Sequence, residues 1–392
     1  MSDAVVILSA KRTPVGAFLG ALAPMSAPQL GSVAIRAAIE AAGIQASDLE
    51  ETLMGCVLPA GLGQAPARQA ALGAGVPTQV PATTVNKMCG SAMKAIMIGA
   101  DQIAAGGARF VVAGGLESMS NAPYLLPKAR SGYRMGHGEL LDHMFYDGLQ
   151  SPWDGKLMGC FADATAEKYA LTRAAQDTFA AESVRRATRA LQEGEFDAEV
   201  APVSVKGRKG VTVVARDETP GTCDLSKIAQ LKPAFGANGT VTAASSSSIS
   251  DGAAALVLAH ASAARQANLK PMARLVAWTS SALAPEWFTI APVAAIEKVL
   301  KLAGWSVGDV DLFEVNEAFA VVAMAAMHDL KLDHQRLNVN GGACALGHPI
   351  GATGARIITT LIHALRQRGG RRGVAALCIG GGEATAVAIE LL

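Results

Sequence analysis

One spacing limits what this chain can fold into. Ala34-Ile35-Arg36-Ala37-Ala38-Ile39-Glu40-Ala41-Ala42-Gly43 returns as Ala295-Ile296-Glu297-Lys298-Val299-Leu300-Lys301-Leu302-Ala303-Gly304, an offset of 304 − 43 = 261 residues. At the same offset Asp48 meets Asp309 and Glu50 meets Asp311. Further on, the strand and glycine turn Phe110–Gly115 resembles Val374–Gly382. Self-similarity at one long spacing marks a duplicated unit. The alternative, chance likeness of two alanine-rich helices, leaves the shared strand context unexplained. If the two units pack face to face, loops at equivalent strand ends meet, and ligand sites of α/β sheets lie at the carboxyl ends of strands.

Each unit reads as alternating strands and helices, the mark of an α/β fold. Val5–Ser9 is a strand. Leu30–Ala42 is an amphipathic helix closed by Gly43. Thr52–Val57 is a strand, 65–73 a helix, and Arg109–Gly115 a buried strand ending in glycines. From about residue 119 to 248 the texture changes, with more Pro, Tyr, Trp, His and charge. This stretch holds one clear helix, Arg173–Glu193, and a basic hairpin, Lys206-Gly207-Arg208-Lys209-Gly210, which reads as a solvated turn or a phosphate contact. The expected organisation is a first half at 1–118, completed by about 249–269, an inserted loop domain at 119–248, and a second half at 270–392.

Within the first half, Pro81-Ala82-Thr83-Thr84-Val85 is β-prone, and the small-residue pattern from Ser91 to Ala105 reads as a buried helix. Cys89 therefore sits where a strand turns into a helix. A thiol there feels the positive end of the helix dipole and the unpaired N–H groups of the first turn. Both favour thiolate, the nucleophilic form. The plain alternative is a small buried hydrophobe. The second half offers three further stretches beside strands or helices: Glu314–Ala320, Asn340–Arg356 and Cys378–Glu383. In them His348 lies on a glycine-flanked loop, where backbone approaches a ligand closely. Asn316 reads as a helix cap, and Cys378 as a strand-end cysteine. The glycine loop lacks the Gly-Lys-Ser/Thr of a nucleotide-phosphate loop.

A formal net charge of +1 gives no electrostatic case for nucleic acid or an anionic membrane surface. No apolar run reaches 18 residues, so no transmembrane helix is expected. Six cysteines without CxxC or metal-ligand spacing point to free thiols in a reducing cytoplasm and to no metal site. The N-terminus, beginning Met1-Ser2-Asp3-Ala4, reads as the start of a strand and not as a secretory signal.

Asn86-Lys87-Met88-Cys89-Gly90-Ser91, Gly114-Gly115-Leu116-Glu117-Ser118-Met119-Ser120, Asn316-Glu317-Ala318-Phe319, Gly347-His348-Pro349-Ile350-Gly351 and Cys378-Ile379-Gly380-Gly381-Gly382 together resemble the motif set of the thiolases, of the biosynthetic kind. The resemblance runs from the first strand to Leu392. It implies two similar halves in a five-layered α/β/α/β/α core with an inserted loop domain. It implies that Cys89 takes an acyl group as a thioester, that His348 takes the thiol proton, and that Cys378 removes a proton from the methyl carbon of a second acetyl-CoA. Asn316 would hold a water beside the enolate oxygen. The N–H groups of Cys89 and Gly380 would form a second oxyanion hole, each donor supplying roughly 2.7–4 kcal/mol. The product would be acetoacetyl-CoA, with thiolysis as the reverse. No cofactor is implied beyond CoA thioesters as substrates, and the assembly would be a homodimer or homotetramer.

Ser247, Phe235, Met158 and Phe319 are the expected CoA or substrate contacts. The family's His-Met-Gly reads Leu157-Met158-Gly159 here, and its Asn-Ala-Ser-Gly reads Ser245-Ser246-Ser247-Ser248. Phe288 falls where methionine is common, and is expected to affect how branched acyl groups are handled. The alternative reading is a degradative thiolase acting on longer 3-ketoacyl-CoA. A ketoacyl synthase would lack a cysteine like Cys378, and a non-catalytic CoA-binding relative would not need Cys89, His348 and Cys378 together.

Overall fold

The computed structural model describes residues 5–208 and 210–392; Met1–Ala4 and Lys209 of the basic hairpin lie outside the described residues. The first half runs β1 (Val5–Arg12), β2 (Gly16–Ala17), α1 (Ala27–Ala42), β3 (Glu51–Gly55), α2 (Pro66–Gly73), β4 (Ala82–Val85), α3 (Ser91–Ala104) and β5 (Phe110–Ser118). There follow β6 (Tyr124–Leu125), β7 (Leu141–Asp142), α4 (Met158–Lys168), α5 (Arg173–Gln192), β8 (Val203–Gly207) and β9 (Gly210–Val214), then β10 (Ser250–His260) and α6 (Ala261–Gln266). The second half is β11 (Ala273–Ala282), α7 (Ala291–Ala303), β12 (Leu312–Val315), α8 (Ala320–Leu330), α9 (Ala343–Leu346), α10 (Thr353–Arg368), β13 (Arg372–Ile379) and β14 (Glu383–Leu391).

The repeat holds down to single hydrogen bonds. α1 ends at Gly43 with φ 70 and ψ 27, and α7 ends at Gly304 with φ 70 and ψ 29. Both glycines adopt the left-handed conformation that a side chain resists. A single 3-10 turn follows each, and in each the side chain of Asp48 or Asp309 caps the turn's own start. Glu50 then accepts the N–H of Arg109 at the entrance to β5, and Asp311 accepts the N–H groups of Arg371 and Arg372 at the entrance to β13, both at 2.8 Å. One carboxylate in each half thus fixes where its buried central strand begins.

The strand order β1-β10-β5-β3 of the first half recurs as β11-β14-β13-β12 in the second, with the same parallel and antiparallel pairings. The two sets are joined at one corner, where Val6 and Ile7 of β1 pair with Arg274 and Ala273 of β11, so a single ten-stranded sheet results. Helices α3 and α10 lie between the two sets and pack on both. Alternation sorts each strand's side chains. Val111, Leu256, Leu377 and Ile389 join the central cluster, while Val112 and Val257 face α1 and α2, and Val374 and Ala388 face α7 and α8. Both faces of every such strand are covered, which is why β5, β10 and β13 read as unbroken apolar runs. The layers are helix, sheet, helix, sheet, helix.

Residues 119–249 contribute no strand to this sheet. The sequence-predicted helix from Arg173 is present as α5, but α4 was not anticipated, because its small-residue face lacks a strong apolar period. The β8–β9 hairpin matches the predicted basic turn. Among the described residues no helix is long and apolar enough to cross a membrane.

Candidate active site

Four loops converge where the strands of both halves end. Cys89 follows β4 and precedes α3; Asn316 follows β12; His348 lies just before α10; Cys378 and Gly380 close β13. Gly55 permits the approach: a side chain there would reach within 2.7 Å of the Gly351 carbonyl and 2.6 Å of the Ala92 nitrogen.

The turn before α3 is built locally. The Asn86 side chain accepts the Met88 N–H at 2.9 Å, and Met88 takes the left-handed conformation, φ 47. Ser91 Oγ accepts the Lys87 N–H at 2.9 Å and donates to the Met88 carbonyl at 2.6 Å. A non-glycine residue held at positive φ stores strain that the surrounding bonds must over-determine. The outcome is that Cys89, half-buried, is presented ahead of the helix beside the Gly380 turn, where its own N–H and that of Gly380 act to lower its pKa. The protonation state is the reverse of the one expected from the helix end. Burial pushes the Cys89 thiol up from 9.0 to about 11, outweighing those two N–H groups, with Glu117 adding to the rise. Helix-end stabilisation is worth about 0.3–1 kcal/mol when exposed, and desolvation of a thiolate exceeds it. At rest Cys89 is a thiol and needs a base.

His348 has the properties of that base. It is buried, and its N–H donates to the Ser248 carbonyl at 3.1 Å. Its Nδ1 lies 2.6 Å from Thr353 Oγ1, whose own proton goes to the Pro349 carbonyl at 2.9 Å. Thr353 must therefore accept, which puts the imidazole proton on Nδ1 and leaves Nε2 as a lone pair. Nε2 has no partner among the described residues. Burial, and then Arg356, lowers the His348 pKa from 6.5 to about 3, so the ring is neutral.

Cys378 is fully buried, and burial followed by the neighbouring Cys89 raises its thiol well above the ordinary value. Asn316 donates its N–H to the Ala376 carbonyl at 2.9 Å, which ties β12 to β13. Its side-chain amide is buried with neither Oδ1 nor Nδ2 partnered. Such a group costs about 1–3 kcal/mol unless it meets a polar partner, so it faces a place for one. A cavity of about 370 Å³ opens beside His348. Leu157, Met158, Phe235, Ser247 and Phe319 line it, so all four expected CoA or substrate contacts are on its wall. Phe288 is not: it is buried in the outer core, edge-on to Phe161 at 6.3 Å, and the branched-acyl expectation loses its direct contact.

Two residues of this site were missed from sequence. Glu117, buried on β5, accepts the N–H groups of Val57, Leu58 and Gly351 at 3.0, 3.2 and 2.8 Å, and so joins a first-half loop to the His348 loop. Burial raises it from 4.5 to about 7. A carboxylate inside an otherwise apolar strand was the available signal. Thr353 was the other, and its place five residues after His348 was the signal.

The chain also matches known proteins along its whole length. Residues 5–262 match the model of the thiolase N-terminal domain, and residues 269–391 that of the thiolase C-terminal domain. It is 49% identical over 389 residues to an acetyl-CoA acetyltransferase of Escherichia coli, with 99% of each chain covered. It is 47% identical over 392 residues to that of Cupriavidus necator, with all of both covered. Its fold superposes on the crystal structure of the Bacillus anthracis acetyl-CoA acetyltransferase with a TM-score of 0.98 at 40% identity, covering 100% of this chain and 99% of that one. A thiolase from Ascaris suum in complex with coenzyme A gives 0.94 at 43% identity, covering 99% and 100%. Full-length likeness in sequence and in fold leads to one conclusion: the chain belongs to the thiolase family.

Proposed function

We propose that this enzyme is an acyltransferase that condenses two molecules of acetyl-CoA into acetoacetyl-CoA and CoA, and catalyses the reverse thiolysis. One observation carries the reading: the Cys89 turn of the first half sits against the Gly380 turn of the second, where a side chain at Gly90 would meet Ile379, with Cys378 beside it and a neutral His348 at the same convergence of loops. His348 Nε2 takes the Cys89 proton as sulfur attacks the thioester carbonyl. The N–H groups of Cys89 and Gly380 hold the oxyanion, and the proton returns to the departing CoA thiol. A thiolate leaving group matches a thiol nucleophile, so the acyl-enzyme keeps the activation of the thioester.

Cys378 gives its thiol proton to His348 and, as the thiolate, takes a methyl proton from the second acetyl-CoA; His348 later returns its proton to the Cys89 sulfur as that sulfur leaves. His348 and a water on the free Asn316 amide stabilise the enolate oxygen. The carbanion attacks the acyl carbon on Cys89, the C–C bond forms, and the Cys89–acyl bond breaks. Pantetheine runs along Met158, Phe235, Ser247 and Phe319, and the apolar wall at Leu157 replaces a polar one. A homodimer or homotetramer in the cytoplasm, needing no cofactor besides its CoA substrates, belongs to the same reading.

Thiolysis of acetoacetyl-CoA, followed by chromatography, is the test. Wild type turns over, while Cys89→Ala and Cys378→Ala each lose activity by at least about 10³-fold. A wild type inert on acetoacetyl-CoA but active on longer 3-ketoacyl-CoA would replace the substrate assignment. Activity surviving in Cys89→Ala would remove the mechanism.

A further inference from the structure

The turn that carries Gly380 is three consecutive glycines, with Gly381 at φ 99 and Gly382 at φ 89. Glycines supply no side chain to brace a loop. The far end is held by the Leu283 N–H, which donates to the Gly382 carbonyl at 2.7 Å. The near end rests on Met158, whose sulfur lies 3.4 Å from where a Gly380 side chain would begin, and on Ile379, which packs against Gly90 of the Cys89 turn.

One further link reaches this turn from the other half of the molecule. Lys87, two residues before Cys89, pairs through Nζ with Glu383 Oε2, three residues after Gly380. Both backbones are fixed. The Lys87 N–H goes to Ser91 Oγ, and its carbonyl accepts the Gly90 N–H at 3.1 Å. Glu383 is in register with Ile379 on β13 and Ala282 on β11. The pair therefore ties the turn of Cys89 to the turn of Gly380. Its side chains are 23% and 36% exposed, and pairs this exposed contribute little to global stability. What remains is geometry at the oxyanion hole, where a displacement of about 1 Å costs on the order of 10²-fold in rate.

We propose that Lys87 and Glu383 are positioning residues that hold the Gly380 turn against the Cys89 turn across the junction of the two halves. This rests on the thiolase reading above. The pair touches neither reacting carbon. It acts on acyl transfer to Cys89 through Gly380, and its charges matter as a pair, whichever side carries which.

The test compares Lys87→Met, Glu383→Gln and the exchanged double variant Lys87→Glu/Glu383→Lys. Two readouts are used. In acetoacetyl-CoA thiolysis each single variant lowers kcat by about tenfold, short of the 10²–10³-fold for deleting an oxyanion donor outright, with KM within about twofold. The exchanged pair recovers at least about half of that loss on a logarithmic scale, as a charge pair does in a double-mutant cycle. Independently of turnover, iodoacetamide labels the Cys89 peptide about three- to tenfold more slowly in the single variants at fixed pH, since the displaced Gly380 N–H no longer favours the thiolate. Unchanged kcat and labelling in the single variants overturn the proposal. So does a rise in KM with kcat intact, or an exchanged pair no better than the single variants. A wild type without thiolase activity defeats the functional reading, and the labelling rates still decide whether the pair positions Gly380.

Discussion

Thr353 decides which nitrogen of His348 carries its proton. Its hydroxyl is committed to the Pro349 carbonyl, so it accepts from Nδ1 and Nε2 faces the site as a lone pair. Thr353→Val removes the acceptor and lets the ring adopt the other tautomer. The expected outcome is a fall in kcat of about tenfold, part of the 10²–10⁴-fold that a positioned base contributes. Thr353→Ser keeps the acceptor and stays near wild type. Steady-state thiolysis of the two variants checks this; equal rates for valine and serine would sink it. With the His348 pKa near 3, lowering the pH from 7 to 5 does not protonate Nε2. Any acid limb in that range belongs to another group. The Cys89 thiol, pushed up to about 11, is protonated at neutral pH, so the proposed nucleophile requires the proposed base.

The two α-helices that carry the repeat end alike, and they break alike. Gly43 and Gly304 hold φ 70 at their carboxyl ends. A side chain at Gly43 would meet only Leu269 at 3.9 Å, and at Gly304 it would meet nothing within 4 Å. The cost of Gly43→Ala or Gly304→Ala is therefore conformational, about 1 kcal/mol each. Urea unfolding of both single variants and the double should show equal and additive losses, because the sites lie on opposite outer layers. A loss at one site alone would mean the two ends are not equivalent. The glycine stops, the acidic turns after them and the strand entrances at Glu50 and Asp311 were legible in sequence, because each is a short-range device. Helix α4 was not, since its burial is set by the second half packed over it.

At the scale of the whole molecule, Glu117 is a clamp between halves, gathering N–H groups from Val57 and Leu58 on one side and Gly351 on the other. Its folded pKa near 7 lies above the ordinary 4.5. An acid raised on folding contributes stability that is complete below about pH 4.5 and is lost as the pH rises through 7. The urea midpoint of the wild type should fall between pH 5 and pH 8. In Glu117→Gln, which does not titrate and leaves an N–H unpaired at a cost of about 1–3 kcal/mol, the midpoint should be lower at pH 5 and change less with pH. Parallel pH slopes for the two proteins would refute the assignment.

By itself, the sequence determined the duplicated α/β core and the five motifs, because strand and helix periods, caps and glycine turns act over a few residues. The family resemblance also named Met158, Phe235, Ser247 and Phe319, which line the cavity beside His348. Only the tertiary structure decided how those motifs are tuned. It reversed the expected direction of the Cys89 pKa, moved Phe288 into the outer core, joined the two halves through β1 and β11, and set Glu117, Thr353 and the Lys87–Glu383 pair around the reacting groups. The physical reason is range. Desolvation and ion pairing depend on everything packed about a group, and here the partners come from elements hundreds of residues apart, such as Lys87 and Glu383 at a separation of 296.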